Sequence, residues 1–368
     1  MHYFTFAEKD STLYQASGSL NSGLDEILEV RKDVSDSGDT VNVSRIVIKF
    51  NINNISESIV SSIIKNPTFY LNLYDAHPTA LATSSSLYAY PISGSWIMGD
   101  GTVSDNPITD EGCSWYYTDG ETDGTLWATV SASGGQWYSG SLYEASYSFD
   151  HKTTDLRMNV TDIVNRWLEQ DVPNEGFMVK RSGSVGNTST ASADTEGNST
   201  RLGNLSFFSS DTHTKYPPTL ETVWDDSKWS TGSLAPLSGS EMEDMIFYMK
   251  GLRPEYKENS RVRFRMVGRE RYPEKTYSTT PSTLSVKYLP SGSSFYSIKD
   301  AETNDVLVPY GSGSKLSCDS RGNYFNLWLD GYQPERYYTL EYRIQSGSGT
   351  EDEIDQYFDE GFTFKVTL

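Results

Sequence analysis

Three early segments of the chain alternate apolar and polar residues with a period of two: Ile27-Leu28-Glu29-Val30-Arg31, Ser44-Arg45-Ile46-Val47-Ile48-Lys49-Phe50 and Thr68-Phe69-Tyr70-Leu71-Asn72-Leu73-Tyr74. That period sends successive side chains to opposite faces, so each segment predicts a half-buried strand. Turn-rich stretches separate them, among them 33–39 and a long connection from Ala80 to Gly124 that carries Gly, Ser, Asp and scattered Trp. A connection of that kind is expected at the end of a sandwich. One segment has the helical period: Asn159 to Leu168 places apolar residues at 160, 163, 164, 167 and 168. It predicts one short helix with Thr161 at its cap, Trp167 in its buried stripe and Asn174-Glu175-Gly176 as its stop. Beyond it the pattern gives a strand at 176–180, a polar surface loop from Ser182 to Thr200, and strands at 204–209 and 219–224.

Near residue 225 the composition shifts to Asp, Ser, Gly and Pro, which predicts a linker over 226–240 between a domain 1–225 and a domain 241–368. Seven short strands are expected in the latter: 245–249, 261–267, 283–288, 295–299, 324–329, 337–344 and 362–366. Strands this short, with turn signals at Asp300, Gly322 and Gly331, suggest an antiparallel sandwich.

Composition agrees with that reading. The chain's 368 residues are enough for two or three domains with their own cores. Its 25 Tyr, 15 Phe and 8 Trp favour strands, and its 29 Gly and 14 Pro favour turns, so the expected class is all-β. Thirty Lys and Arg against 50 Asp and Glu leave a net charge of −20, which argues against a protein that wraps nucleic acid. Two Cys and four scattered His exclude a structural metal held through Cys and His. No apolar run approaches the roughly 18 residues of a membrane span, and the first residues lack a basic start, so the expectation is a soluble chain made in a cytoplasm.

Motifs for chemistry are sparse. The sequence has no Gly-x-Ser-x-Gly elbow, no phosphate-binding loop and no His-Glu-x-x-His, although paired carboxylates of the glycosidase kind stay open among 50 acids. Trp96, Trp115, Trp127 and Trp137, with Tyr116 and Tyr138, fall in the long polar loops. As loop aromatics they are candidates for stacking on sugar rings; the alternative is that they plug the open end of the sandwich as core. Asp100, Asp105 and Asp110, with Asp119 and Asp123, are candidate oxygen ligands for calcium, but the regular Asp-x-Asp-x-Asp-Gly spacing is missing. Cys113 and Cys318 lie in different predicted domains and are expected to be free buried thiols.

The charge pattern carries more. Nine basic residues occur from Lys250 to Lys275 against four acids, and Arg261, Arg263 and Arg265 alternate with Val262, Phe264 and Met266. One face of that strand is therefore basic while the other enters a core. With Arg269 and Arg271 it forms a candidate assembly interface for an acidic neighbour, including another copy of the chain. The alternative is pairing with the domain's own acids. A nucleic-acid role is disfavoured by the overall charge.

Four elements resemble the DNRLRE-type β-jelly-roll domain, a carbohydrate-binding-module-like fold: Asp10-Ser-Thr-Leu-Tyr14, the Asn21-Ser-Gly23 loop leading to Arg31, the strand Ser44 to Ile52 with Asn51 where Asp is usual, and the helix Val160 to Leu168 followed by Asn174-Glu-Gly176-Phe177. Phe325 to Leu340, with Tyr337 and Tyr338 after the turn, is similar to the corner of immunoglobulin-like and fibronectin-type sandwiches. The full layout, with its Tyr357 to Val366 tail, resembles structural proteins of tailed-bacteriophage virions. The resemblance implies a jelly-roll sandwich with one short helix followed by an immunoglobulin-like sandwich. It further implies a non-enzymatic virion protein of neck, collar, tail or capsid, synthesised in the host cytoplasm. Its partners would be other virion proteins and copies of itself, with no nucleic acid, no membrane and no cofactor beyond a possible calcium. A carbohydrate-binding adhesion module for a surface glycan is the alternative, and a polysaccharide hydrolase or lyase the next.

Overall fold

The computed structural model describes all residues except 36–40, 80, 83, 106, 121–123, 129–132, 151–153, 184–194, 238–243, 274–276, 278, 281–285 and 347–352. It is mainly β, with 46% strand and 7% helix, as composition and alternation require. Two compact units divide the chain. The N-terminal unit is Thr5–Ser61 with Thr68–Glu221, and the C-terminal unit is Met1–Phe4, Ser62–Pro67 and Thr222–Leu368. Among the described residues, no helix is long and apolar enough to cross a membrane.

The N-terminal unit is built on β1 (His2–Tyr14, from Thr5 onward), β2 (Ile27–Val34), β3 (Val41–Phe50), β4 (Thr68–Leu73), β5 (Ser84–Pro91), β6 (Ala145–Asp150), β7 (Leu156–Asn159), β8 (Phe177–Lys180), β9 (Gly203–Phe208) and β10 (Thr219–Val223, up to Glu221). They form a near-barrel antiparallel sheet in the order β6-β5-β8-β3-β1-β10-β4-β7, with β2 joining β3 to β9. At the centre, Ile46 of β3 pairs with Thr12 on one side and Val179 on the other.

The alternation of β3 predicts a half-buried strand, yet Val43 to Ile48 are all buried. The cause is the long connection after β5. Its Ile92, Trp96, Cys113, Trp115 and Trp127 pack with Leu13, Val43, Val47 and Met178 in one core cluster. The connection is therefore laid over the face of β1, β3 and β8 instead of closing an end, and it covers the side of β3 that would otherwise meet water.

The expected helix is α2 (Thr161–Leu168), preceded in the chain by a second helix, α1 (Asn53–Val60), that the periodicity did not predict. In α1 the amide of Asn53 donates to Asn51 Oδ1 at 3.0 Å and Ile55 is buried. Ile163, Val164 and Trp167 of α2 are buried, and the Trp167 ring lies 4.6 Å from that of Phe177. Thr161 is not the cap: that position is Val160, and Thr161 Oγ1 instead accepts the amide of Phe69 at 2.9 Å. After the helix, Gly176 has φ +94°, and a Cβ there would sit 2.2 Å from the carbonyl oxygen of Ile48. Only glycine lets the chain pass that close to β3 before β8 begins.

The C-terminal unit holds β11 (Ala235–Pro236), β12 (Met245–Lys250), β13 (Glu255–Lys257), β14 (Arg261–Glu270), β15 (Lys287–Tyr288), β16 (Ser294–Asp300), β17 (Val306–Val308), β18 (Ser317–Asp319), β19 (Gly322–Trp328), β20 (Tyr337–Ser346) and β21 (Ile354–Thr367). All seven expected strands have a counterpart, although 283–285 of the third lie outside the described residues. One sheet runs β11-β15-β14-β19-β18 with β12 on β14, and the other β13-β21-β20-β16-β17. Between them Phe264, Phe325, Tyr296 and Tyr342 form an aromatic core, with Phe264 and Phe325 stacked at 5.3 Å and Tyr296 and Phe325 at 4.1 Å. Tyr338 is buried after the turn, and its hydroxyl donates to the carbonyl of Gln333 at 3.0 Å.

Candidate functional site

In β14 the residues Phe264 and Met266 face the core, so Arg261, Arg263 and Arg265 share the opposite face. The antiparallel register sets Arg261 beside Trp328, Arg263 beside Asn326 and Arg265 beside Tyr324 of β19. The guanidinium of Arg261 lies over the Trp328 ring, 3.8 Å from its centroid, and that of Arg263 over the Tyr324 ring at 4.2 Å. Arg263 Nε also donates to Asn326 Oδ1 at 3.0 Å. Both side chains are exposed, and no carboxylate among the described residues pairs with either. Ring stacking and the Asn326 bond hold the forks in place, while the remaining N–H groups stay open to a ligand.

Of the other basic candidates, Arg265 and Arg269 are committed within the unit, while the side chain of Arg271 is exposed. Arg265 is bidentate with Asp319, both contacts at 2.7 Å. Its hydrogen bond pulls the Asp319 carboxyl down to about 2. Arg269 Nη1 donates to the carbonyl of Glu270 at 2.9 Å, and the backbone of exposed Arg271 donates to the carbonyl of Asp244 at 2.7 Å.

Arg261 and Arg263 form part of the lining of a groove of about 760 Å³ within the C-terminal unit. Trp328, Tyr324 and Asn326 line the same groove, and Lys65, Lys228, Trp224, Asp225 and Asp226 contribute from other segments of the unit. Asp225 is engaged by Lys315 Nζ at 2.7 Å and by Ser227. Burial raises its carboxyl, but these hydrogen bonds outweigh that and leave it below the ordinary range. Asp226 lies 3.2 Å from the amino group of Met1. With the acids occupied, Lys65, Lys228 and the two open guanidiniums set the groove's charge. Lys65, Lys228, Trp224 and Trp328 were not singled out from the sequence. The one signal for the floor was the alternation in 323–328, which puts Tyr324, Asn326 and Trp328 on one face.

The loop aromatics lie elsewhere, in the N-terminal unit. Trp96, Trp115 and Trp127 are buried at 3%, 4% and 1% exposure within the cluster over β1, β3 and β8. Trp96 Nε1 donates to the carbonyl of Glu175 and Trp127 Nε1 to that of Ser114. Trp137 is half-buried between the Arg45 and Lys180 cations, Tyr138 is half-buried against Tyr143, and Tyr116 is exposed.

Asp105 accepts the Thr102 amide and the hydroxyls of Thr102 and Thr109, all at 2.8 Å, which keeps its carboxyl low. Asp100 is exposed and Asp110 half-buried, while Asp123 lies outside the described residues. No group of three or more His, Cys, Asp or Glu among the described residues is placed to hold a metal ion. Cys113 and Cys318 are free and buried, and burial pushes their thiols up to about 12 and about 11.

Two features had no functional reading in the sequence. Asn21 is fully buried, donating to the carbonyls of Met98 and Cys113 and accepting the amides of Gly23 and Gly101, so one side chain pins the long connection. Glu196, expected in a polar surface loop, is instead buried at 1% exposure. Its carboxylate takes Arg45 Nε at 3.2 Å and Nη2 at 2.6 Å, with Lys180 Nζ at 3.3 Å. Pairing with buried cations draws it inward.

No family model matches the chain, and no curated protein matches it. Among solved structures, the chain is similar to a DUF4785 family protein from Legionella pneumophila, at 10% identity and a TM-score of 0.21. That match covers 98% of this chain and 65% of the other, so this chain spans about two thirds of that protein's length; a TM-score this low carries no argument about function.

Proposed function

We propose that this chain is a non-enzymatic structural protein that acts in assembly through protein–protein contacts, in its fuller form as a component of a tailed-phage virion. The carrying observation is the pair Arg261 and Arg263: exposed, laid on Trp328 and Tyr324, and without a carboxylate partner among the described residues of a chain with net charge −20. Arginines already ordered by stacking lose little conformational freedom on docking, and Arg beside Trp and Tyr is the composition of interface hot spots. An acidic neighbour, whether another virion protein or a further copy, suits the face. The Tyr338 to Gln333 hydrogen bond supports reading the C-terminal unit as immunoglobulin-like, and the sequence resemblance supports a DNRLRE-type jelly roll for the N-terminal unit. The adhesion reading has less behind it, because three of its four tryptophans are core and it falls to Tyr116, Tyr138 and Trp137.

Incorporation into particles tests the proposal. Particles assembled with the Arg261→Glu, Arg263→Glu chain are expected to lack it, while far-UV circular dichroism of the purified chain stays unchanged. Wild-type copy number for the swapped chain overturns the reading.

A further inference from the structure

Arg261 and Arg263 are two residues apart on one strand, so their Cα atoms are about 7 Å apart and their side chains rise from the same face. The third arginine of the row shows how such a fork is filled. Arg265 takes Asp319 end-on, with both Nη groups at 2.7 Å from the carboxylate oxygens. The row thus has one site occupied from within the unit and two of the same kind open toward the groove.

An extended peptide repeats its side chains on one face at the same spacing of about 7 Å. The groove, at about 760 Å³, is in the size range of binding pockets and offers more than positive charge. Asp225 and Asp226 line it with the arginines, and although Lys315, Ser227 and the Met1 amino group already engage them, their carboxylates keep lone pairs for further N–H donors. A peptide presents both partners, carboxylates for the arginines and backbone N–H groups for the acceptors. A dense polyanion such as a phosphate chain has no N–H groups along its backbone, and its higher charge density is opposed more strongly by a chain of net charge −20.

Resting on the assembly reading, we propose that the groove is a docking track for an extended acidic segment of a partner protein, its Asp or Glu residues at alternate positions pairing one-to-one with Arg261 and Arg263. Lys65 and Lys228 add attraction from the groove's lining. The track reads spacing as well as charge, since two adjacent acids on an extended strand point to opposite faces and present one carboxylate to the row, whereas two acids separated by one residue present both.

The test uses the full chain and two labelled synthetic peptides of identical composition, each with two Glu residues in a Ser background, alternating (Glu-Ser-Glu) in one and contiguous (Glu-Glu) in the other, followed by fluorescence anisotropy. The alternating peptide is expected to bind roughly tenfold tighter, and Arg261→Gln or Arg263→Gln each to weaken it roughly tenfold, the loss of one charge-assisted contact. Arg271→Gln, exposed on the same strand's continuation, serves as the control that changes little. Equal affinity for both peptides, no binding of either, or Gln variants that bind like wild type overturn the track. So does displacement of the alternating peptide by inorganic phosphate or an oligouronate at equal concentration. If the charge-swapped chain is lost from particles while the peptides show no preference, assembly stands and the spacing rule fails. If the peptides behave as expected while incorporation survives the swap, the track stands and the virion role fails.

Discussion

Glu196→Gln is the substitution whose cost follows most directly from the structure. Arg45 is 3% exposed and Glu196 1%, and the two carboxylate oxygens meet the Nε–Nη2 edge of the guanidinium at 3.2 and 2.6 Å. Glutamine keeps the shape and one acceptor but sets an NH₂ donor against a second donor, and it removes the carboxylate charge from beside the guanidinium. Unpairing a buried ion pair in this way costs on the order of 3–5 kcal/mol. Two features of the site reduce the loss. The carbonyl of Gly134 still accepts from Arg45 Nη1, and the rings of Trp115 and Trp137 lie 4.8 and 5.1 Å from the cation. The expected destabilisation is therefore near the lower bound, about 3 kcal/mol, or a fall in Tm of roughly 6–12 °C for a unit of this size. Urea unfolding followed by tryptophan fluorescence reads it, because Trp115 and Trp137 flank the pair. The double variant Arg45→Met, Glu196→Gln removes one of the two buried cations that Glu196 pairs with, leaving Lys180, and is expected to recover part of the loss. A Glu196→Gln cost below about 1 kcal/mol, or a double variant as unstable as the sum of the singles, refutes the argument that unpaired charge is the cause.

Asn21→Ala deletes four hydrogen bonds, three of them to the connection over β3, and is expected to cost about 2–4 kcal/mol, with faster amide exchange in 98–113 as the signature; unchanged exchange there would remove Asn21 as the pin. Asp10 is fully buried with Oδ2 bonded to the Ser210 amide, and burial pushes its carboxyl up to about 7. A raised carboxyl favours the folded state when protonated, so its contribution is complete below about pH 4 and is lost as pH rises through 7, with a ceiling of about 4 kcal/mol. Asp10→Asn is expected to flatten that dependence and to be the more stable chain at pH 8; equal urea midpoints for the two chains at pH 8 contradict this.

Much of the scaffold was legible because strand and helix periods are local. The alternation of Arg261, Arg263 and Arg265 with Val262, Phe264 and Met266 placed the basic face on the correct side of β14, and the stripe of Ile163, Val164 and Trp167 located α2. The helix α1 was missed because Asn53-Asn-Ile-Ser-Glu-Ser-Ile-Val60 is rich in residues that favour caps and strands. The packing of Trp96, Trp115 and Trp127 was open to two readings because irregular backbone gives their spacing no period. Glu196 sits in a Ser, Thr and Asn run whose composition reads as solvated, and only the fold brings it to Arg45, 151 residues away. The groove needed three-dimensional register throughout, since its lining residues come from five separate stretches of chain.

The division of the C-terminal unit among three chain segments constrains how it forms. Phe4 and Leu237 belong to the same core cluster as Phe264, Tyr342 and Val366, and the Phe4 ring lies 6.0 Å from that of Tyr332. On the ribosome, Phe4 emerges long before β21, so that core cannot close until nearly the whole chain has been made, whereas the N-terminal unit has all its residues by Glu221. Contacts of such wide sequence separation are slow to form, and during the wait an aromatic core without its last strand stays exposed to neighbouring nascent chains. A fragment cut at 241 starts with Phe4 and Leu237 missing from its core and is expected to aggregate, so expression of this unit alone calls for a circular permutant that rejoins the early residues to the body they complete.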